Sequence, residues 1–370
     1  MLLDAMYVCS SPFQIITAII LATENNETAD IYINSSFKHV EKYVERLRSS
    51  EIFNNVSVIP YNLYVRYFNK SGRVASKAQS LANYMFPSRL AKCFISQDCF
   101  YRKIYSANRD ILCRYVLFHH YKYNVNAELI LYEEGNSAYL NDVVLREHPI
   151  EKILRCLLYG KKAITSNTLL LYSPELFYKI KKQSTFKVKE INVSALAVEK
   201  VRDVFCCIDS LPKNSAIIID THKSAIFDSA GKEKLEVIYR TIVDSMNTDV
   251  FLKRHPRECD TMFEREQLID ESIPFEVLCT DASADSFILI SYLSTAVATP
   301  KLMFDKEPYV LLLYNLVDSN LETTHLRLYY DSLRKMYKYP QRVLIPKTMA
   351  ELQENLQLLS LELSQRYVPR

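Results

Sequence analysis

The chain has 370 residues, 49% of them hydrophobic, and its 46 Lys and Arg against 43 Asp and Glu leave a formal charge of +3. That length exceeds the usual reach of one core, so two domains are expected; the charge balance by itself selects no class of partner. No apolar run approaches the eighteen residues of a membrane span, which excludes a transmembrane helix.

Met1-Leu2-Leu3-Asp4 carries an acid where a secretory signal carries positive charge, and the apolar stretch from Phe13 to Ala22 is broken by Gln14 and Thr17. The reading is a cytoplasmic chain without a signal peptide. Nine cysteines are scattered with no C-x-x-C spacing, which fits reduced thiols better than a disulfide framework or a zinc site.

Met6 to Cys9 reads as a strand closed by Ser10-Ser11-Pro12. Phe13, Ile16 and Ile20 then recur at helical spacing, with Ser11 as N-cap and Pro12 at the first helical position. A strand at Asp30 to Asn34, a charged helix over 39–48 and a strand at Val56 to Ile59 follow. This alternation predicts a parallel, doubly wound sheet. From Tyr61 to Val125 eleven Lys or Arg face two acids, with Tyr and Phe interleaved. That stretch reads either as helices with a solvated basic face or as a surface for an anionic membrane or acceptor. Nucleic acid is not expected, because no binding motif accompanies the charge.

Glu128 to Leu131 is the next predicted strand, followed by a helix over 150–158, a strand at Leu169 to Tyr172 and a helix over 194–204. The domain junction is placed at 201–214, between domains 1–200 and 215–370. In the second domain strands are predicted at Ala216 to Asp220, Asp249 to Leu252, Phe275 to Leu278, Phe287 to Ile290 and Tyr309 to Leu313. A helix is predicted over 233–246. The last helix, over 348–365, aligns Leu352, Leu356, Leu359 and Leu363 on one stripe.

Three polar clusters close strand-like runs. Glu133-Glu134-Gly135 follows Leu131-Tyr132, and Gly135 is one of only four glycines, which points to a constrained turn. Lys253-Arg254-His255-Pro256 follows Val250-Phe251-Leu252, and Ser294-Thr295 follows Phe287 to Ile290. Asp220 and Thr221 end the second domain's first strand. Active sites of open α/β sheets gather at such strand ends. Each cluster also has a plain reading: solvated loop acids, a buried structural histidine, a helix cap before Ala296, a turn at Asp220. A second His-Pro pair, His148-Pro149, reads as helix initiation.

Taken in order, Glu133-Glu134-Gly135, His255-Pro256 and Ser294-Thr295 resemble the motifs of bacterial sialyltransferases of glycosyltransferase family 52. Ser10-Ser11-Pro12-Phe13-Gln14 resembles the Ser/Thr-Pro-x-Gln turn after the first strand of that group. The resemblance implies a GT-B-like α/β fold, with two doubly wound Rossmann-like domains facing across a cleft. It also implies a metal-independent inverting transferase, with no cofactor, acting on CMP-sialic acid and on a terminal galactose or similar sugar of a capsule or lipooligosaccharide.

In that chemistry Glu133 or Glu134 is the base toward the acceptor hydroxyl, and two adjacent acids would raise the pKa of one. His255 stabilises the departing phosphate, with Lys253 or Arg254 adding positive potential. Ser294, Thr295, Pro256, Asp220, Thr221 and Ser11 complete the donor site. Both motif acids are glutamate where many relatives carry an aspartate, so which one acts is open. A transferase using another nucleotide sugar, a non-catalytic nucleotide- or carbohydrate-binding protein, and a peripheral membrane protein working through the 61–125 stretch are the alternatives. The oligomeric state is open, a homodimer included.

Overall fold

The structure, a computed structural model, describes residues 1–60, 99–107, 125–140, 168–181, 186–205, 214–221, 229–255, 267–281, 285–317 and 323–366. It also describes positions 113, 116, 117, 119, 120, 123, 153, 156, 157 and 184. The chain forms two compact units, Met1–Val204 and Phe205–Arg370.

The first unit holds β1 (Leu2–Cys9), α1 (Pro12–Asn25), β2 (Ala29–Asn34), α2 (Val40–Ser49), β3 (Asn55–Ile59), β4 (Phe100–Ser106) and β5 (Glu128–Tyr132). It continues with α3 (Ser137–Leu140), β6 (Thr168–Leu171), α4 (Pro174–Ile180), β7 (Lys187–Glu190) and α5 (Ala195–Phe205). α5 thus ends one residue beyond the division between the units. The sheet runs β3-β2-β1-β4-β5-β6-β7, and every pairing is parallel. The order reverses between β1 and β4, which makes their carboxyl ends the switch point where open sheets bind ligands. Ser11 caps α1, accepting from the Gln14 amide, with Pro12 at its first turn. The helix is buried continuously from Gln14 to Ala22, wider than the single stripe its periodicity suggests.

The second unit holds β8 (Ala216–Ile219), α6 (Ser229–Ser245), β9 (Val250–Lys253), α7 (Phe275–Leu278) and β10 (Ile288–Ser291). A 3-10 turn (Thr295–Ala298), α8 (Thr299–Phe304), β11 (Tyr309–Leu312), α9 (Thr323–Arg334), β12 (Val343–Leu344) and α10 (Met349–Arg366) complete it. Its parallel sheet runs β12-β11-β10-β8-β9, with the reversal between β8 and β10. Ala216–Ile219, Ile288–Ser291 and Tyr309–Leu312 are buried along their whole length, as expected of strands covered on both faces. Both units are therefore doubly wound α/β domains.

Several elements differ from the sequence reading, which placed no helix at α3, α4, α8 or α9 and no strand at β12. β4 is an interior strand inside the stretch read as basic helices, paired with β1 from Leu2↔Phe100 to Val8↔Ser106. Its two cations are met locally: Arg102 pairs with Asp4 at 3.5 Å and Lys103 with Glu27 at 2.8 Å. Lys103 is thereby engaged with a buried acid, whereas the Arg102 pair lies at the exposed surface; residues 61–98 of that stretch lie outside the described residues. Phe275 to Leu278, read as a strand, is the short helix α7. Pro274 caps it in an extended conformation, and the Val277 and Cys279 amides bond back to Pro274 and Phe275 carbonyls. Four residues, Glu276 among them, are too few for periodicity to separate the two. β7, absent from the sequence reading, is a largely exposed edge strand, Lys-Val-Lys-Glu, whose charges suit an edge. The predicted helix over 150–158 and His148-Pro149 lie largely or wholly outside the described residues, as do positions 206–213 of the expected linker.

Leu352, Leu356, Leu359 and Leu363 of α10 are all buried. Replacing a fully buried leucine by alanine removes its transfer energy and leaves a cavity. Leu356→Ala is expected to cost about 2–5 kcal/mol, measured by urea unfolding, whereas Leu361→Ala on the exposed face is expected to cost little.

Candidate functional site

At the carboxyl edge of the first sheet, consecutive residues beyond β5 take opposite directions, as in any extended segment. Glu133 turns inward and is 3% exposed. Its Oε2 accepts from the Tyr139 hydroxyl at 2.6 Å and from the Tyr172 amide at 2.9 Å. Tyr139 also accepts from the Ser173 amide at 3.3 Å, and Ser173 caps α4. Glu133 thus ties the end of β5 to α3 and to the end of β6. Burial pushes its pKa up to about 7 against the pull of these two donors. The rise comes from desolvation, not from repulsion by the neighbouring acid.

Glu134 is half-buried and turns the other way. Its Oε1 accepts from Gln14 Nε2 at 2.6 Å, and the Gln14 Oε1 accepts from the Ser10 amide at 2.6 Å. The acid is thereby linked to the turn after β1, across the end of β4. Gly135 takes φ 60°, a left-handed conformation that a side chain would oppose. This turn reverses the chain into α3, whose Ser137 hydroxyl donates to the Glu134 carbonyl at 2.8 Å. Ser11 spends its hydroxyl on the α1 cap, accepting from Gln14 N at 3.3 Å.

In the second unit Asp220-Thr221, Arg254-His255 and Ser294-Thr295 stand at the carboxyl ends of the neighbouring strands β8, β9 and β10. The Asp220 amide donates to the Lys253 carbonyl at 3.0 Å. Ser291 binds the other side, donating to Ile219 O at 2.8 Å and accepting from Ser294 N at 3.0 Å. Thr221 is buried, and its Oγ1 has no hydrogen-bond partner among the described residues, a rarity that marks a strand mouth as unfinished. His255 is half-buried and is the last described residue of its segment. Pro256 lies outside the described residues.

Two donor-site expectations change. Lys253 is 7% exposed, and its ammonium donates to the carbonyls of Asp270 and Ile273 at 2.6 Å each. Burial pulls its pKa down to about 8, opposed by Glu276, Asp270 and Glu271. It braces the loop before α7 instead of facing a phosphate. Arg254 is paired with Glu271. Ser294 caps the 3-10 turn through Ala296 N at 3.4 Å, so the cap reading of this residue holds. The turn spans only Thr295–Ala298 before α8, leaving little aligned dipole for an anion. Among the described residues no three His, Cys, Asp or Glu side chains converge as metal ligands, and no helix is long and apolar enough to cross a membrane.

The sequence reading singled out neither Tyr139 nor Tyr172, and it named Gln14 only as a break in an apolar stretch and as the last residue of the turn after the first strand, with no role of its own. A signal for Gln14 was present: an amide inside an apolar helical run, three residues past the N-cap.

Neither a family model nor a curated protein sequence matches the chain. Among solved structures, 49 chains match. A Methanocaldococcus jannaschii UDP-GlcNAc 2-epimerase in complex with UDP-GlcNAc and UDP matches with TM-score 0.49 and 10% identity, over 96% of this chain and 92% of that one. LpCGTa in complex with UDP matches with TM-score 0.49 and 9% identity, over 99% and 94%. Arabidopsis thaliana UGT89C1 with UDP matches with TM-score 0.44 and 12% identity, over 98% and 99%. Likeness at this level assigns neither a residue nor an activity.

Glu133 sets one expected outcome. Its folded pKa, about 7, lies above the ordinary 4.5, so the folded chain holds this proton more tightly than the unfolded one. The resulting stabilisation is full below about pH 4.5 and is lost as pH rises to about 7. Glu133→Gln is expected to flatten the pH dependence of the thermal midpoint in that window; an unchanged dependence would assign it to other groups.

Proposed function

We propose that the chain is an inverting glycosyltransferase that moves sialic acid from CMP-sialic acid to a terminal sugar, galactose or a close relative, of a bacterial surface glycan. One observation carries this reading: in each unit, the residues of the motif resemblance stand at the carboxyl ends of strands that border the point where strand order reverses or lie one strand away from it. Open α/β sheets place their ligands there. The donor, CMP, and the sialic acid come from the motif resemblance.

Glu134 is the base. It is half-buried, its Oε1 is fixed by Gln14, and it stands apart from the inward knot that holds Glu133. Its carboxylate takes the proton of the acceptor hydroxyl as that oxygen bonds to the anomeric carbon. The bond from that carbon to the donor phosphate oxygen breaks in the same displacement, and its electron pair leaves on CMP. The configuration inverts because a single displacement occurs. His255 donates a hydrogen bond or a proton to the leaving phosphate, where negative charge grows. Thr221 Oγ1 and the Asp220 carboxylate are the side chains offered to the nucleotide at the β8 mouth. The hydroxyls of Ser294 and Thr295 are offered as donors to phosphate oxygens. The reading requires Glu134 and His255 to reach one donor–acceptor pair during turnover.

The test compares nucleotide release from CMP-sialic acid and from UDP-hexoses, beside thermal midpoints with CMP and with UDP. A ligand that binds only the folded chain raises the midpoint by mass action. CMP release from CMP-sialic acid, lowered at least about a hundredfold in His255→Ala, is the expected result. Release from UDP-hexoses alone would replace the donor, and a midpoint shift without release would make the chain a binding protein.

A further inference from the structure

We propose that Gln14 is a positioning residue that fixes the Glu134 carboxylate at the carboxyl edge of the first sheet, an inference that rests on reading Glu134 as the base. Gln14 is the third residue of α1 and is 2% exposed. Helix capping accounts for only half of what its side chain does. The Ser11 hydroxyl accepts from Gln14 N, and the Gln14 Oε1 accepts from the Ser10 amide, a variant of the reciprocal cap made by Gln or Glu three residues into a helix. A glutamate would serve that cap as well, and the positive helix N-terminus would favour its charge. What a glutamate lacks is a donor.

The second half of the amide supplies that donor. An amide N–H can only donate, so the Ser10 amide must face the carbonyl oxygen of Gln14. This forces the NH2 group toward Glu134, where Nε2 lies 2.6 Å from Oε1. The orientation of the amide is therefore set by chemistry on one side and used on the other. A hydrogen bond to a carboxylate is among the stronger ones, and here it is anchored on a helix buried from Gln14 to Ala22. Thr17, one turn further along α1, shares a hydrogen bond with the Tyr172 hydroxyl at 2.9 Å, and the Tyr172 amide donates to Glu133. α1 thus contacts both ends of the acidic pair, Glu134 directly and Glu133 through Tyr172.

The substitution that separates positioning from capping is Gln14→Glu. It keeps the acceptor for Ser10 and replaces the donor to Glu134 by a second carboxylate, and two carboxylates at that distance cannot both ionise. The full-length variant is expected to show a thermal midpoint that falls, relative to the native chain, as pH rises from about 5 to about 8. The acid limb of its donor turnover is expected to move up by at least about one pH unit. The exchange variant Gln14→Glu/Glu134→Gln restores an amide facing a carboxylate. It is expected to regain the native midpoint and its pH independence relative to native, while turnover stays down at least about a hundredfold because the base has moved.

A Gln14→Glu midpoint that tracks the native one at every pH would overturn the inference and leave Gln14 a helix cap. So would an exchange variant no more stable than the single one. Full turnover in Glu134→Gln alone would instead remove the base reading, and the midpoints would still decide whether the two side chains are coupled. Should Gln14→Glu fold at no pH, folding of the exchange variant supports the coupling and its failure overturns it.

Discussion

Where β5 ends, the alternation of an extended chain sends two neighbouring carboxylates to opposite sides, and most of the chemistry of the first unit follows from that separation. Glu133 is engaged in structure: it collects a phenol and a backbone amide in the interior, and desolvation makes it hold its proton more tightly than an exposed carboxyl does. Glu134 faces the turn after β1, anchored by an amide on a helix buried from Gln14 to Ala22. Gly135 makes the arrangement possible, because the chain must reverse at once into α3 through a left-handed residue. A half-buried carboxylate left at the edge and steadied by an amide can still accept a proton; one sunk between two donors and apolar walls serves stability.

The second unit separates its charges by the same logic. Lys253 closes β9 but turns back to two carbonyls before α7, and Arg254 is met by Glu271. Burying an ammonium is costly unless its hydrogens are satisfied, and the two carbonyls are what makes Lys253 tolerable there. His255 is the member of that run which continues past the brace at the strand's carboxyl end. Ser291 performs the corresponding task between β8 and β10, joining Ile219 to the turn that begins at Ser294. The strand mouths are therefore tied across their neighbours, and the residues proposed for binding stand one to four positions beyond the strand ends.

What could be read from the sequence follows from how strongly each segment is patterned. Ala216–Ile219 and Tyr309–Leu312 are continuous apolar runs because both faces are covered, and such runs between helical stretches announce a parallel sheet. β4 carries Arg102 and Lys103 in mid-strand, and their partners, Asp4 and Glu27, are remote in sequence; charge without its partner looks like a solvated face. α7 is four residues long, below the length at which period can speak. The strand-end positions of Glu133, Glu134 and His255 were legible from the apolar runs before them. The division of labour between the two glutamates was not, since it depends on Tyr139, Tyr172 and Gln14, which meet them only in the folded chain. Gln14 left a trace as a polar residue in an apolar helix, and buried amides of that kind usually have a partner to serve.

The central claim is that the two glutamates do different work, one holding the strand end and the other moving a proton. It is tested most directly by measuring sugar transfer per folded molecule in Glu133→Gln and Glu134→Gln, side by side at a temperature where both are folded. The account expects Glu134→Gln to lose at least about a hundredfold while Glu133→Gln transfers within about tenfold of the native chain. Loss confined to Glu133→Gln, with Glu134→Gln unimpaired, would contradict it.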